Sequence, residues 1–433
     1  MSGRSRPGWA VLAVVGLLAA CTDGGTDADD PSANVSTPSS SAVGGAPAGG
    51  ASQPTTDAPE PACEVDLPAD WQSALGEGAV QGRDGEEATL LRVLADGTRV
   101  LRVGPNGARS ALVWEDPAGR ERVIQQIGEL DWWARVTGVS SDGRYVAWSL
   151  VQWPDTEDER TRVFVWDSAN EGPPQELTEG AVVGAPVVVG GAVVWVQAGE
   201  DPLDLAGLHA FDLTSGTARV LAAGYLGEPR ALGDSVVVVD QPPEGTTGPE
   251  PKVVAVRPED TNPAVSREGA PPGDDASATT AGPLDEPPVG SAPATEEQAE
   301  LGDLPTALTE PGERFAALAA GGELLAWVSD GDGELMVWRP GEDVPWAAVE
   351  LATGAEVTDL EVADGVVAWA LADGGRWVLD PEEGGYALLT EGTGALRSLG
   401  DQLLVAAEEG TGLPPAVVDP TGLDPLPGCG TGS

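Results

Sequence analysis

A hydrolase built on a Ser-His-Asp triad would have to use His209, because the 433-residue chain holds one histidine. That residue sits in Gly207-Leu-His-Ala-Phe-Asp212, which reads as a strand, and the sequence has no Gly-x-Ser-x-Gly elbow. His209 is therefore read as a strand-face residue. No His-Glu-x-x-His, no Cys-x-x-Cys and no phosphate loop occurs either, so no catalytic residue and no cofactor is assigned. Two carboxylate clusters remain: Asp155-Thr-Glu157-Asp158-Glu159, and Asp330-Gly-Asp332-Gly-Glu334. The second alternates its acids as oxygen-donor calcium loops do, but lacks their full spacing and distal bidentate glutamate. Asp330, Asp332 and Glu334 are thus a solvated turn first and a calcium candidate second. A paired-carboxylate glycosidase needs two acids facing one pocket, and among 71 acidic residues a pair arises readily by chance. Trp132, Trp133 and Trp153 are the aromatic candidates. Exposed, they would stack on a sugar or a peptide; otherwise they cap the ends of sheets. With Asp155, Glu157, Asp158 and Glu159 they form the candidate binding rim.

These residues would be positioned by a repeated sheet. The clearest copy opens with Thr137-Gly-Val-Ser-Ser-Asp-Gly-Arg-Tyr-Val-Ala-Trp148, continues after an acidic loop as Arg162-Val-Phe-Val-Trp-Asp167, and ends at Gln175-Glu-Leu-Thr178. Its short runs of β-branched and aromatic residues, bounded by Gly, Asp and Pro, predict strands. Asp142-Gly143 supplies the positive φ of a tight hairpin. Val146-Ala-Trp148 returns as Val193-Val-Trp195, Leu325-Ala-Trp327 and Val367-Ala-Trp369. Leu177-Thr178-Glu179 returns as Leu308-Thr309-Glu310 and Leu389-Thr390-Glu391. A period of about 40–50 residues per four-stranded unit is that of a β-propeller blade. The expectation is an all-β propeller of seven four-stranded blades, with six or eight as the rival counts. The units are drafted at 86–128, 137–180, 182–224, 227–311, 315–352, 357–392 and 395–427. The four tryptophans on second strands should pack between blades. Residues 71–80 have no partner in the repeat and are expected to give the outermost strand of the last blade.

The blade containing Ser140-Ser-Asp-Gly-Arg-Tyr-Val-Ala-Trp148, Val163-Phe-Val-Trp-Asp167 and Gln175-Glu-Leu-Thr178 resembles the Ser-Pro-Asp-Gly repeat of the WD-like propellers typified by the periplasmic propeller protein of the Tol-Pal system. Ser141 stands where that family usually has proline, and other blades carry Gly-Gly in place of Asp-Gly. The resemblance implies a fold and a passive envelope or assembly component.

The N-terminus carries Arg4 and Arg6, then an apolar run from Trp9 to Ala20 that is too short to span a membrane. It closes in Leu18-Ala19-Ala20-Cys21, which looks like a bacterial lipobox. That resemblance implies a signal peptide over residues 1–20 and diacylglycerol on Cys21. Residues 21–62 are rich in Ser, Thr, Pro and Gly, with almost no large apolar side chain. They cannot bury enough surface to offset their ordering entropy, and read as a disordered tether. Residues 258–303 read the same way, as an acidic, Pro-rich insertion in the fourth unit. The propeller then spans residues 63–429, with a tail at 430–433. Cys63 opens this region and Cys429 nearly closes it; in the oxidising surroundings of an exported chain they are expected to pair, where the ring's two ends meet in one blade.

The formal net charge of −49 repels nucleic acid and anionic lipid headgroups. Membrane attachment must then come from acyl chains at Cys21, on the extracytoplasmic face. The expected function is a monomeric, lipid-anchored, non-catalytic module that binds an unidentified envelope protein. A carbohydrate-active enzyme on the same fold is the rival.

Overall fold

The computed structural model describes residues 60–77, 88–104, 110–127, 134–152, 159–170, 172–199, 205–243, 251–259, 314–329, 333–342, 345–392, 394–406 and 415–430. They form seven sheets, the blades of one propeller. Blade 1 comprises Ala88–Val93, Arg99–Val103, Ala111–Glu115 and Glu121–Gln126. Blade 2 comprises Arg135–Ser141, Tyr145–Gln152, Arg160–Asp167 and Gln175–Gly180. Blade 3 comprises Val182–Val189, Ala192–Gln197, Ala206–Asp212 and Thr217–Gly224. Blade 4 shows Arg230–Leu232, Ser235–Asp240 and Lys252–Val256. Blade 5 comprises Phe315–Gly321, Leu324–Ser329, Glu334–Trp338 and Ala347–Glu350. Blade 6 comprises Val357–Ala363, Val366–Leu371, Arg376–Asp380 and Gly385–Thr390. Blade 7 shows Leu396–Ser398, Leu403–Val405 and Ala416–Val418. The segment expected to complete blade 4, residues 305–309, lies outside the described residues.

Within each blade the strands run antiparallel in chain order. First strands touch first strands around the axis. The ring closes where Val93 N–H of blade 1 donates to Leu399 O at 2.8 Å, over a core of Leu90, Leu101, Val113 and Leu399. Hairpin chemistry follows the sequence. In blade 6 Asp364 and Gly365 both take positive φ, at 34° and 80°, the conformation a two-residue hairpin demands.

The second-strand tryptophans are the inter-blade core. Trp148, Trp195, Trp327 and Trp369 are 0–2 % exposed. Each packs on the preceding blade: Trp148 on Val100 and Leu112, Trp195 on Ala147 and Val163, Trp327 on Val237 and Ala255, Trp369 on Leu335 and Val337. A large aromatic at this position buries enough apolar area to hold two blades face to face, about 1.5–3 kcal/mol for each ring.

Residues 71–80 depart from expectation. The described part of that segment, 71–77, gives blade 7 no strand; Ala69–Glu77 is a helix. Trp71, Ala74 and Leu75 recur at helical spacing and pack on Leu396, Leu403 and Val418. Trp71 donates its indole N–H to Asp424 O at 2.9 Å. Just upstream, Glu60–Pro61 pairs in parallel with Ala347–Ala348 of blade 5, and Cys63–Glu64 with Gly385–Tyr386 of blade 6. The N-terminal segment is thus a belt along the outer edges of blades 5, 6 and 7.

Cys63 and Cys429 form a disulfide, with Cα atoms 5.7 Å apart and a sequence separation of 366. The pairing is as expected, but its place differs. The bond ties the belt to the C-terminal tail at the outer edge of blade 6, because the chain's ends meet there and not in the closing blade.

Candidate functional site

Five first strands carry a β-bulge: those of blades 1, 2, 3, 5 and 6. A bulge leaves one or more residues out of the ladder and re-aims their neighbours. In blade 3 the excursion is largest, with Gly184, Ala185 and Pro186 between Val183 and Val187. There Gly184 takes φ 67°, and a Cβ on it would lie 2.0 Å from Glu228 Cγ. Only glycine lets blade 4 come this close. The approach delivers the Ala185 N–H to Glu228 Oε1 at 3.0 Å. Glu228 Oε2 takes Arg230 Nη2 at 2.9 Å.

Glu228 and Arg230 line a cleft of about 400 Å³ between blades 4 and 5. Its blade 5 wall is the bulged stretch from Phe315 to Leu318, where Ala316 is out of register and exposed. The Gln241 side chain holds that wall in place. Its Oε1 accepts the Phe315 N–H at 2.9 Å, and Arg314 Nη1 donates to Pro242 O at 3.0 Å. On the other side the Tyr225 N–H donates to Asp240 Oδ1 at 2.8 Å.

Further charges from other blades are within electrostatic reach of the Glu228–Arg230 pair. Burial pushes the Glu361 carboxyl of blade 6 above its ordinary range; Arg230 and hydrogen bonds from Ser398 of blade 7 oppose the rise, and Glu228 adds to it. Burial likewise pulls the Arg92 guanidinium of blade 1 below its usual value, against the pull of Asp401 and Glu361. Guanidiniums and carboxylates from blades 1, 4 and 6 thus interact in one confined region, where charge acts more strongly than on an open surface.

Of the site residues singled out from sequence, only Glu159, Glu334, His209, Cys63 and Cys429 are among the described residues. Cys21, Trp132, Trp133, Trp153, Asp155, Glu157, Asp158, Asp330 and Asp332 fall outside the described residues. Glu159 is exposed just before the third strand of blade 2, and Glu334 is exposed at the start of the third strand of blade 5. Among the described residues, no group of three or more His, Cys, Asp or Glu is placed to hold a metal ion. His209 lies mid-blade with its ring stacked on Trp195, centroids 5.4 Å apart, and burial lowers its pKa. Sequence reasoning missed Arg92, Glu228, Arg230 and Glu361. Their signal was an isolated charge in or beside a short apolar first strand.

No protein-family model matches the chain, and no curated protein matches it. Solved structures do. A prolyl endopeptidase is 12 % identical over 81 % of this chain and 52 % of its own, with a TM-score of 0.46. The β-propeller domain of the Trilobed protease from Pyrococcus furiosus is 13 % identical over 77 % of this chain and 95 % of its own, at 0.44. The acylaminoacyl peptidase of Pyrococcus horikoshii is 12 % identical over 74 % and 48 %, at 0.43. The chain spans about half the length of the two whole peptidases. Likeness at this level shows the fold alone. The expectation of a non-catalytic envelope scaffold, and of no enzymatic role, is nonetheless corrected: the propellers it resembles belong to peptidases, and absence of catalysis is not retained. The seven-bladed fold stands; the likeness to Tol-Pal repeats goes no further than that.

Proposed function

We propose that this propeller is a peptide-handling protein whose axial cleft, between blades 4 and 5, receives a short extended segment. One observation carries the reading: the Glu228–Arg230 pair and the bulged, exposed strand edge at Ala316 open onto the same cleft. Backbone hydrogen-bonding groups at a bulge suit the main chain of a peptide, and a fixed charge pair sets its register. The volume falls within the range of about 300–1,000 Å³ typical of ligand clefts. The reading extends to an address. Leu18-Ala19-Ala20-Cys21 supports a thioether-linked lipid on Cys21, with the propeller held on the extracytoplasmic face and acting as a monomer.

The test is binding and turnover together. The full chain is incubated with a defined pool of short peptides, and bound and cleaved species are read by mass spectrometry, beside the Glu228→Gln/Arg230→Gln double variant. Capture or cleavage by the wild type that the variant loses supports the reading. Equal results from both proteins reject the cleft. For the address, an alkyne-tagged fatty acid should label the wild type and not Cys21→Ser; equal labelling rejects it.

A further inference from the structure

Resting on the peptide reading, we infer that the cleft takes the C-terminal carboxylate of a peptide ending in an apolar residue. The argument is an inventory of polar groups. Glu228 spends one oxygen on Ala185 N–H and the other on Arg230. Gln241 spends its amide on the backbone of Phe315. Just outside the lining, Asp240 holds the Tyr225 N–H. The carboxylate and amide oxygens here thus each hold a donor of the fold already. Arg230 has N–H groups to spare. A guanidinium carries five N–H groups, and Arg230 gives one nitrogen to Glu228 while its side chain stays 29 % exposed. A ligand matching this surplus must bring an acceptor, and a planar carboxylate fits the fork of an arginine best. Leu226, Val239 and Leu318 make the adjoining walls apolar. An acceptor beside an apolar group is the chemistry of a peptide's last residue.

The protein's own field gives the inference a signature. At a net charge of −49, the long-range potential opposes an anionic terminus, while the contact with Arg230 is short-ranged. Added salt screens the first more than the second. Affinity should therefore rise with ionic strength between about 10 and 150 mM, where the Debye length falls from roughly 30 to 8 Å.

One tripeptide, Ala-Val-Leu, in four forms decides the matter: free, C-terminal amide, N-acetylated, and blocked at both ends. Calorimetry on the full chain should find the two acids at least about 10-fold tighter than the two amides, regardless of acetylation. Arg230→Gln should bring the acids down to the amides and leave the amides where they were, with folding checked by circular dichroism. If acids and amides bind alike, the inference fails and the peptide reading stands. Preference for a free amino group, with Glu361 as its partner, overturns it in favour of the opposite terminus. If none of the four binds, the peptide reading fails with it.

Discussion

Blades 1 to 3 and blades 5 to 7 solve one problem in two ways. The outer strand of a blade has one edge that its own blade leaves unpaired, a template for unwanted pairing. In the first half those strands, Glu121–Gln126, Gln175–Gly180 and Thr217–Gly224, have no further strand beyond them among the described residues. Val123 and Val220 on them are 51 % and 56 % exposed. In blade 2 the outer strand is charged and tied to its neighbour: Arg160 pairs with Glu179 at 3.0 Å, and Arg162 with Glu176. In the second half the outer edges of blades 5 and 6 are paired with the belt, and blade 7 is packed by the helix. Those contacts join residues more than 280 positions apart. One half can form from neighbouring hairpins, whereas the other needs the chain's two ends to meet, a closure that is slow and entropically costly.

Removing the helix anchor should break the contrast most strongly. Trp71 is 2 % exposed and fills the space that a fourth strand of blade 7 would cover. Trp71→Ala should cost about 3–5 kcal/mol, the usual toll of emptying a core site of that size. Hydrogen exchange should rise in residues 60–77 and blades 6 and 7 while blades 1 to 3 keep their protection. A uniform rise across all seven blades would show that the halves unfold as one.

Cutting the clasp should be next in size. The Cys63→Ser/Cys429→Ser variant loses the constraint on a loop of nearly the whole domain, worth about 2–5 kcal/mol. Thermal unfolding should shift down, and limited proteolysis should first cut near the belt. An unchanged midpoint would mean that belt pairing alone holds the edge.

The halves should also differ in the sign of their pH response. Asp116, Asp167 and Asp212, in blades 1, 2 and 3, have lowered pKa values. The first cause is the backbone N–H of Arg120 for Asp116, the Arg144 guanidinium for Asp167, and the backbone N–H of Ser215 for Asp212. A lowered folded pKa contributes stability above the ordinary carboxylate range that is lost as pH falls through the folded value. Glu361, Asp364 and Asp380 in blade 6 have raised values, each through burial first. A raised folded pKa reverses the sign: stability is full below the ordinary range and declines as pH rises to the folded value. Glu361→Gln should therefore flatten the decline in stability on going from acid to neutral pH, and Asp167→Asn should flatten the loss on acidification. Urea midpoints measured from pH 3 to 8 check both. Slopes that change in the same direction in the two variants would contradict the assignment.

What the sequence made legible follows the same divide. The tryptophan on four of the second strands and the glycine-bearing hairpin turns are local signals, and they placed the blades and their number. The Cys63–Cys429 pair was legible because the chain has few cysteines, but its position at blade 6 was not, since nothing in a strand's own composition says which distant edge it will meet. The expectation of a strand at residues 71–80 rests on their having no partner in the repeat, and not on the pattern of Trp71, Ala74 and Leu75. Their helical spacing after Pro68, a favourable helix start, was the better signal. The axial charges failed for a related reason. Arg92, Arg230 and Glu361 lie in different blades, and only ring closure brings their charges into one region.

The smallest effect expected is at the bare edge of blade 3. Val220 lies on the outer strand Thr217–Gly224 and faces His209 across the ladder, yet it stays 56 % exposed. If protection in the first half is local, a charge placed there should strengthen it at almost no cost. Val220→Lys should change stability by no more than about 0.5 kcal/mol, as surface substitutions do. It should also slow self-association in concentrated solution, because a lysine on an open edge disfavours strand pairing between copies. Light scattering during mild heating reads the second effect, and denaturant unfolding reads the first. A loss of a kilocalorie or more would mean that Val220 is covered after all, and that the first half, too, has its outer edge closed by another part of the chain.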